Sequence, residues 1–483
     1  MSRLTELAQW QDLEKLSQRT EVKEYNEEHI LECAGISFDY SKQYISQQVF
    51  NNLIELAKSS GLPESIDDYF SGEKINFTEE RAVLHTALRA PFEQTAALVS
   101  EEVAASVKNA LKKMADIVNT IRHSKWFGYS GKPIRNIVNI GIGGSDLGPR
   151  LSVAGLKEFS DSYLDFYFIS DADPTSFIDV VENLSPEETL FIISSKSFTT
   201  KETLINAKKA MEWINQAEHF NKHFIAVTAE PQKAMSFGIK TILPIWEWVG
   251  GRFSLCSAVN LILMIAIGID DFCRMLQGAY DMDKHFRTAD YLSNIPVLLA
   301  LIGIWNINFR HINTHALMIY NSRLKDLPFY LQQLEMESNG KSFDKEGNRV
   351  DYATCPIIWG GIGNQAQHSY YQLLVQGTQK VSLDFIFDES KSKQLIYLNG
   401  QRKVSILAHG EQTNDRSDIK GEMPLNVIKM RKLSPYTLGA LIAVYEHKVF
   451  TQGVIWRINS FDQFGVESSK VHDIDLKQAL LKI

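Results

Sequence analysis

The run NIVNIGI, at residues 136–142, opens the stretch of this chain that decides its fold. Three more β-rich runs follow it: YLDFYFIS at 163–170, ETLFIISS at 188–195 and KHFIAVTA at 222–229. Segments with apolar residues at helical spacing, such as KETLINAKKAMEWINQAEHF at 201–220, separate the runs. Alternation of strands and helices in this order predicts βαβ units and therefore a parallel sheet.

A second, looser series of strands begins near residue 290. Its strands are HALMIY at 315–320, CPIIWG at 355–360, QKVSLDFIF at 379–387 and PLNVIKM at 424–430. The residues before the first series, up to about 130, have mainly helical spacing, as in SKQYISQQVFNNLIELAKSS. The sequence therefore predicts an α/β protein with two doubly wound parallel sheets.

Composition narrows the class of protein. A chain of 483 residues exceeds the size at which one core keeps growing, so two domains are expected. A net charge of −8 and a pI near 5.9 disfavour nucleic acid or an anionic membrane as the main partner. No signal peptide or membrane-spanning run is recognisable, and the four cysteines are widely spaced. We expect a cytoplasmic protein without structural zinc.

The loop NIGIGGSDLGP, at 139–149, follows the first predicted strand. Its glycines allow close approach of the backbone to a ligand, and Ser145 adds a hydroxyl at a predicted helix start. A dinucleotide fingerprint needs glycine where Asp146 stands, and a nucleophile elbow needs glycine where Leu147 stands. Both of those alternatives are disfavoured.

The loop SSKSFTTKET, at 194–203, follows a predicted buried strand and leads into a helix. It surrounds Lys196 with five hydroxyls, from Ser194, Ser195, Ser197, Thr199 and Thr200. Hydroxyls, a cation and a helix N-terminus form a plausible cradle for a phosphate monoester. The alternative is a Ser/Thr-rich helix cap, but the position after a parallel strand favours the cradle.

The segment LQQLEMESNGK, at 331–341, contains two glutamates two residues apart. On a helix they point about 200° from each other, so only one can face a given pocket. Gln333 and Glu337 share a face at i,i+4 spacing, which favours Glu337 as the inward carboxylate and Glu335 as outward or interfacial. The alternative is a solvated acidic helix face.

Four basic residues are weaker candidates on their own. Arg252 in WVGGRFSL is either a buried ion-pair partner or an anion stabiliser, and both roles need a negative partner. His368 begins a helical run, where a packed or surface histidine is the commoner outcome. His311 and His315 have the i,i+4 spacing of metal ligands, but Ile312 replaces the glutamate of HExxH, so we interpret them as structural.

Taken together, five segments resemble the glucose-6-phosphate isomerase (phosphoglucose isomerase) family. They are GIGGSDLGP, SSKSFTT, WVGGRFSL, MESNGK and SFDQFGVESSK, in that order. FTEERAVLHTALR and LGALIAVYEHKVFTQGVIW extend the similarity over nearly the whole chain. The resemblance implies reversible conversion of glucose 6-phosphate to fructose 6-phosphate without a metal or an organic cofactor.

The resemblance also implies an architecture. We place a first, smaller sugar-isomerase (SIS-type) domain at 106–280 and a second, larger one at 281–455. An N-terminal helical segment, 1–105, would pack on the larger domain, and a C-terminal helical arm would cover 456–483. A homodimer is implied, with the active site at the domain and subunit interface.

Site roles are implied residue by residue. Glu337 would be the base that moves a proton between C2 and C1 through a cis-enediol, and Arg252 would stabilise the enediolate. His368 and Lys470 would assist ring opening. The implied substrate-binding residues are Gly144, Ser145, Ser195, Lys196, Ser197, Thr200, Gln333 and Gln463.

The chain departs from the family pattern in a few places. The loop GGIGNQAQH before His368 differs from the usual sequence, and Ser197 stands where the family usually has threonine. Phe464 replaces the usual tryptophan, and Arg457 stands where an acidic residue is usual. Two alternatives remain: a phosphosugar-binding regulatory protein without catalysis, and an isomerase of another sugar phosphate.

Overall fold

The computed structural model describes residues 3–18, 29–413 and 416–469. Its strands form two separate sheets. The strands are β1 Ile30–Cys33, β2 Ile36–Asp39, β3 Asn136–Ile140, β4 Asp165–Ile169, β5 Thr189–Ser194, β6 Phe224–Thr228, β7 Thr241–Pro244, β8 Thr314–Ile319, β9 Ile357–Ile362, β10 Ser382–Asp388 and β11 Leu425–Met430. All eight strands expected from the sequence are confirmed, and β1, β2 and β7 are additional.

The first sheet is parallel throughout, with strand order β4-β3-β5-β6-β7. The chain runs outward from β3 on one side and from β5 on the other, which makes the edge between β3 and β5 a topological switch point. The buried runs of these strands are apolar because helices cover both faces. The two hydroxyl- and glycine-rich loops leave β3 and β5 at that point, where doubly wound sheets bind ligands.

The second sheet has the order β1-β2-β11-β10-β8-β9. The strands from β8 to β11 are parallel and again doubly wound, while the hairpin β1–β2 joins antiparallel to β11. Ala34 and Gly35 both have positive φ, as a two-residue hairpin turn requires. The stretch expected to be mainly helical therefore supplies the edge of the second sheet. The doubly wound α/β class is confirmed, and the domain boundaries stay a prediction.

Helices cover both sheets. They are α1 Ala8–Ser17, α2 Gln47–Ser59, α3 Leu62–Ser71, α4 Phe92–Leu98, α5 Glu101–Arg122, α6 Leu147–Gly155, α7 Pro174–Val181, α8 Lys201–Ile214, α9 Phe220–His223, α10 Pro231–Ser236, α11 Leu261–Ile267, α12 Ile269–Thr288, α13 Ile295–Ile304, α14 Leu327–Leu331, α15 Gly363–Ala366, α16 Tyr371–Gln376, α17 Leu395–His409 and α18 Pro435–Ile455. Trp305–Phe309 and Gln332–Glu337 are π-helical. Residues 464–469 are helical.

The helix α18 is buried on almost every side and packs against α12 and α13. Glu446 of α18 is paired inside the core with Arg89, which donates to it at 2.6 Å and to Asp283 of α12 at 2.7 and 2.8 Å. A buried charge is tolerated only when it is paired in this way. Within the described ranges, no helix is both long enough and apolar enough to cross a bilayer.

Candidate functional site

One cavity of about 730 Å³ opens at the switch point of the first sheet. Its walls come from the loops after β3 and β5, from the WVGGRFSL segment and from the π-helical segment 332–337. Ten of the twelve site residues predicted from the sequence line it: Gly144, Ser145, Ser195, Lys196, Ser197, Thr200, Arg252, Gln333, Glu337 and Gln463. Segments more than 300 positions apart in the chain therefore meet in one cavity.

The loop after β5 presents a helix N-terminus to the cavity. Thr200 is the N-cap of α8, and its side chain does not cap the helix but lies 3.2 Å from the hydroxyl of Ser195. The first N–H groups of the helix are thus left for an anion. Phe198 has a φ of 49° and is buried in the apolar core, so tertiary packing holds the loop in a left-handed turn.

Lys196 is held at the edge of this loop. Its ammonium donates to the carbonyls of Glu247 at 2.9 Å and Val249 at 3.2 Å, and it lies 3.4 Å from the Glu247 carboxylate. Burial lowers the pKa of Lys196, and the Glu247 carboxylate opposes that effect. A phosphate in the cavity would supply the second negative partner for this cation.

Two glycines allow the walls of the cavity to approach each other. A Cβ on Gly144 would lie 2.1 Å from the carbonyl oxygen of Gly251. Gly143 has a φ of 59°, and a Cβ there would lie 2.9 Å from the Gln333 amide nitrogen. The loop after β3 therefore needs glycine both for its backbone conformation and for the contact with the segment that carries Arg252.

Arg252 is 3% exposed, and all three nitrogens of its guanidinium group donate hydrogen bonds. Its Nε donates to Ser338 at 2.6 Å, and Nη1 donates to Glu337 at 3.3 Å and to Gln463 at 3.0 Å. Nη2 donates to the carbonyls of Ser460 at 2.6 Å and Asp462 at 3.0 Å. Burial lowers the pKa of Arg252, while the Glu337 and Asp462 carboxylates raise it. The planar guanidinium group carries five N–H donors, so one arginine can join the Glu337 carboxylate to the anchoring carbonyls.

Glu337 faces the cavity, with a side chain that is 22% exposed. Glu335 points away from the cavity, as predicted, and of its two expected positions the outward one is wrong, because the side chain is buried. It is 1% exposed, and each carboxylate oxygen accepts from Lys448 of α18 at 2.7 Å. Only the folded chain brings this cation, 113 positions away, to the buried carboxylate.

Lys341 holds the segment that anchors Arg252. Its ammonium donates to the carbonyls of Ser338 at 3.0 Å, Asn459 at 2.9 Å and Asp462 at 2.8 Å, and lies 2.9 Å from the Asp462 carboxylate. We refer to residues 459–463 as the anchor segment, because Arg252 and Lys341 both bind its backbone. Lys341 ends the MESNGK segment, which resembles the family, but no role was predicted for it.

Several cavity residues were not predicted. Asn76, Glu79, Arg81, Glu202, Glu247, Trp248 and Glu467 all line the cavity. Arg81 lies 2.8 Å from Glu247, which in turn contacts Lys196. The signal was present, because Glu79 and Arg81 belong to FTEERAVLHTALR, a segment noted only for its resemblance.

One predicted residue that the structure describes is not brought into the cavity, and a second cannot be placed. His368 is exposed, follows α15 and is absent from the cavity lining. Lys470 lies outside the described residues. His315 is buried, with Nε2 3.1 Å from Asp384 and Nδ1 2.9 Å from the Ser382 hydroxyl, in line with a structural role. Over the described part of the chain, no group of three or more His, Cys, Asp or Glu side chains could hold a metal ion.

Fold and cavity together define a doubly wound α/β protein whose ligand site joins a hydroxyl-rich helix N-terminus to a carboxylate–guanidinium pair. A family model described as phosphoglucose isomerase matches residues 39–481. Glucose-6-phosphate isomerase of Legionella pneumophila (strain Lens) is 48% identical over 478 residues, covering 96% of each chain. That of Psychrobacter arcticus is 43% identical, covering 92% of this chain and 87% of the relative.

A solved structure gives the same result. The crystal structure of a glucose-6-phosphate isomerase from Chlamydia trachomatis has a TM-score of 0.91 and 29% sequence identity, covering 100% of this chain and 97% of the other. Sequence and structure agree over essentially the full length. The chain belongs to the phosphoglucose isomerase family.

Proposed function

We propose that this protein interconverts glucose 6-phosphate and fructose 6-phosphate. The observation that carries the proposal is the meeting of Glu337 and Arg252 in the cavity that also receives the N-terminus of α8. An aldose–ketose interconversion needs one base beside two adjacent carbons, one cation beside their oxygens and a fixed hold on the phosphate. All three requirements have candidates in this one cavity.

Glu337 is the base in this mechanism. It removes the proton from C2 of the open-chain aldose while O1 gains a proton, which gives the cis-enediol. It then returns the proton to C1 while O2 loses its hydroxyl proton, which gives the ketose. The carboxylate suits both steps because it is partly exposed to the cavity and its Oε2 is steadied by Arg252 at 3.3 Å. A base fixed within reach of both carbons can serve both C–H proton transfers.

Arg252 stabilises the negative charge that develops on the enediolate oxygens. Its bonds to Ser338, Ser460 and Asp462 fix the guanidinium before substrate arrives, so little reorganisation accompanies the reaction. Preorganised charge of this kind is often the largest single contribution to catalysis. Gln333 and Gln463 line the same cavity as Glu337 and Arg252, and we assign both to binding sugar hydroxyls.

The phosphate is held by Ser145, Ser195, Lys196, Ser197 and Thr200. Hydroxyl donors, the Lys196 ammonium and the dipole of α8 act on the same anion. Binding of the phosphate group orients the sugar toward Glu337. The binding energy of the phosphate thereby holds the reacting carbons beside the base.

Ring opening falls to His368 and Lys470. His368 is exposed and lies outside the cavity of its own chain, so it would reach a cavity from a second copy. We propose a cytoplasmic homodimer with the active site at the subunit interface. The SIS-type domains at 106–280 and 281–455 would each contribute to that site.

The decisive test is Glu337→Gln, which keeps the shape and removes the base. Fructose 6-phosphate conversion would be coupled to glucose-6-phosphate dehydrogenase with NADP, in the presence of a chelator. We expect kcat to fall by roughly 10²- to 10⁴-fold. The control is Glu346→Gln, in the exposed loop between MESNGK and β9, which should behave as wild type.

Two results would contradict the proposal. Wild-type protein that binds fructose 6-phosphate without converting it would support a regulatory phosphosugar-binding protein. Faster conversion of mannose 6-phosphate or an amino-sugar phosphate than of fructose 6-phosphate would support an isomerase of another sugar.

A further inference from the structure

The Lys196 ammonium is held by a short stretch of backbone, residues 247–249. The carbonyls of Glu247 and Val249 accept from it at 2.9 and 3.2 Å. The carbonyl between them, that of Trp248, accepts instead from the Leu84 N–H at 3.1 Å. The segment that leads from Arg81 to Leu84 is therefore fastened to the same stretch of backbone that holds Lys196.

Arg81 lies opposite Lys196, with the Glu247 carboxylate between them. Its backbone is fixed by two hydrogen bonds that it exchanges with Asn76, at 3.1 and 3.2 Å. Arg81 Nη1 lies 2.8 Å from Glu247 Oε2, and the same oxygen lies 3.4 Å from Lys196 Nζ. All three charged side chains line the catalytic cavity. One carboxylate oxygen is therefore shared by two cations, and Arg81 is the closer of the two.

The hydrogen-bond donors of Lys196 are limited in number. A lysine ammonium has three N–H groups, and in Lys196 two of them donate to backbone carbonyls. The third can go either to the Glu247 carboxylate or to a phosphate oxygen in the cavity. A Glu247 paired with Lys196 alone would take this donor and place a negative charge beside the phosphate. Arg81 reduces both effects, because it binds the carboxylate and partly neutralises its charge.

The charges around Lys196 act on its pKa in opposite directions. Burial lowers the pKa of the ammonium, the Glu247 carboxylate opposes that effect, and Arg81 lowers the pKa further. Removal of Arg81 should therefore raise the pKa of Lys196, and removal of the Glu247 charge should lower it. The other charged side chains on the surrounding elements include Glu79, which also raises this pKa, and Glu202, Glu230 and Lys233.

We propose that Arg81 is a positioning residue for the phosphate group of the substrate: by binding Glu247, it leaves the third N–H of Lys196 to the phosphate. Arg81 acts through the carboxylate and makes no contact with the substrate in this arrangement. The inference rests on the proposed binding of a sugar phosphate at Lys196. It adds to that site a pair of side chains, Arg81 and Glu247, that controls how well the lysine binds.

The test is calorimetric titration of the full chain with glucitol 6-phosphate, a polyol phosphate that has no carbonyl group and cannot be isomerised. Near neutral pH, we expect Arg81→Met to bind it about threefold to fivefold more weakly than wild type, the effect of a partly exposed ion pair, and Arg81→Lys to recover most of the loss. In the Glu247→Gln background, Arg81→Met should change the affinity by less than about twofold, because the carboxylate that Arg81 binds is gone. The matched control is Arg274→Met, which removes an exposed arginine that lies 2.8 Å from Asp271 on α12.

The pH dependence of the same titration separates positioning from a general disturbance of the cavity. Affinity should fall on the alkaline side as Lys196 loses its proton. That fall should move to higher pH in Arg81→Met and to lower pH in Glu247→Gln, because the two side chains shift the pKa of Lys196 in opposite directions. A disturbed fold would weaken binding by both variants without moving the fall in opposite directions.

Unchanged affinity in Arg81→Met would overturn the inference. An equal loss in the Glu247→Gln background would also overturn it, because Arg81 would then act on the phosphate directly, and so would an alkaline fall that stays at the wild-type pH in both variants. Binding of glucitol 6-phosphate without conversion of fructose 6-phosphate would refute the isomerase reaction alone. Normal conversion with unchanged affinity in Arg81→Met would refute the present inference alone, and absence of binding by wild type would refute the phosphate site together with it.

Discussion

Replacement of Lys341 by methionine tests whether the anchor segment positions Arg252. Methionine keeps the apolar stem and removes the ammonium, which donates to three carbonyls and pairs with Asp462. The Lys341 and Asp462 side chains are only 18% and 7% exposed. The variant therefore leaves a largely buried carboxylate that, among the described residues, still accepts from the Thr78 hydroxyl at 2.6 Å.

The expected loss of unfolding free energy follows from this geometry. Removing one partner of a fully buried pair costs about 3–5 kcal/mol, and partial exposure of Lys341 places this site near 3 kcal/mol. Adding Asp462→Asn to Lys341→Met removes the negative charge that the single variant leaves unpaired. We therefore expect the double variant to be less destabilised than the sum of the single variants by about 1–2 kcal/mol.

The measurement is equilibrium urea unfolding at fixed protein concentration, followed by kcat/KM for fructose 6-phosphate. Because the Ser460 and Asp462 carbonyls also accept from Arg252, kcat/KM should fall by about tenfold in Lys341→Met. Lys112→Met is the control for losing an exposed lysine. A Lys341→Met stability within about 0.5 kcal/mol of that control, or strict additivity in the double variant, would refute the reasoning.

Two further predictions concern the loops at the switch point. Gly144→Ala places a Cβ 2.1 Å from the Gly251 carbonyl oxygen and should lower the free energy of unfolding in urea by about 1–3 kcal/mol. As the control, a Cβ on Gly251 meets no atom within 4 Å, so Gly251→Ala should stay within about 0.5 kcal/mol of wild type. Equal losses of stability in the two variants would contradict the close contact at Gly144. Burial lowers the pKa of Lys196 below its ordinary 10.5, and only the protonated form binds a phosphate dianion well, so kcat/KM should decline on the alkaline side before pH 10.5. Lys196→Met should lower kcat/KM and remove that limb of the pH profile, and an unchanged limb in the variant would assign it to another group.

The sequence predicted the strands that carry local signals. Buried parallel strands such as β5 and β6 are continuous apolar runs bounded by helical segments, so they are recognisable alone. The edge strand β7 has four residues and ends in proline, which leaves too short a pattern to recognise. The hairpin β1–β2 has four-residue strands and an Ala-Gly turn in place of the usual Asn-Gly, and its pairing with β11 depends on residues distant in sequence.

The site was predictable where a loop follows a strand and unpredictable where partners are distant. Ser195 and Lys196 share one short loop, so their proximity follows from the chain itself. The burial of Glu335 depends on Lys448, and the position of Arg252 depends on carbonyls more than 200 positions away. Such pairings arise from tertiary packing, which a single sequence does not encode in any local pattern.

The edge pairing of the second sheet has a consequence for synthesis. Gln43, just after β2, donates to Asn426 of β11 at 2.9 Å across 383 positions. A ribosome adding roughly 5–20 residues per second releases β2 about 20 to 80 seconds before its neighbour exists. During that interval the hairpin lacks its neighbour β11, and Arg89 lacks its partner Glu446 on α18. The nascent N-terminal third therefore has to be shielded from other chains until translation nears its end.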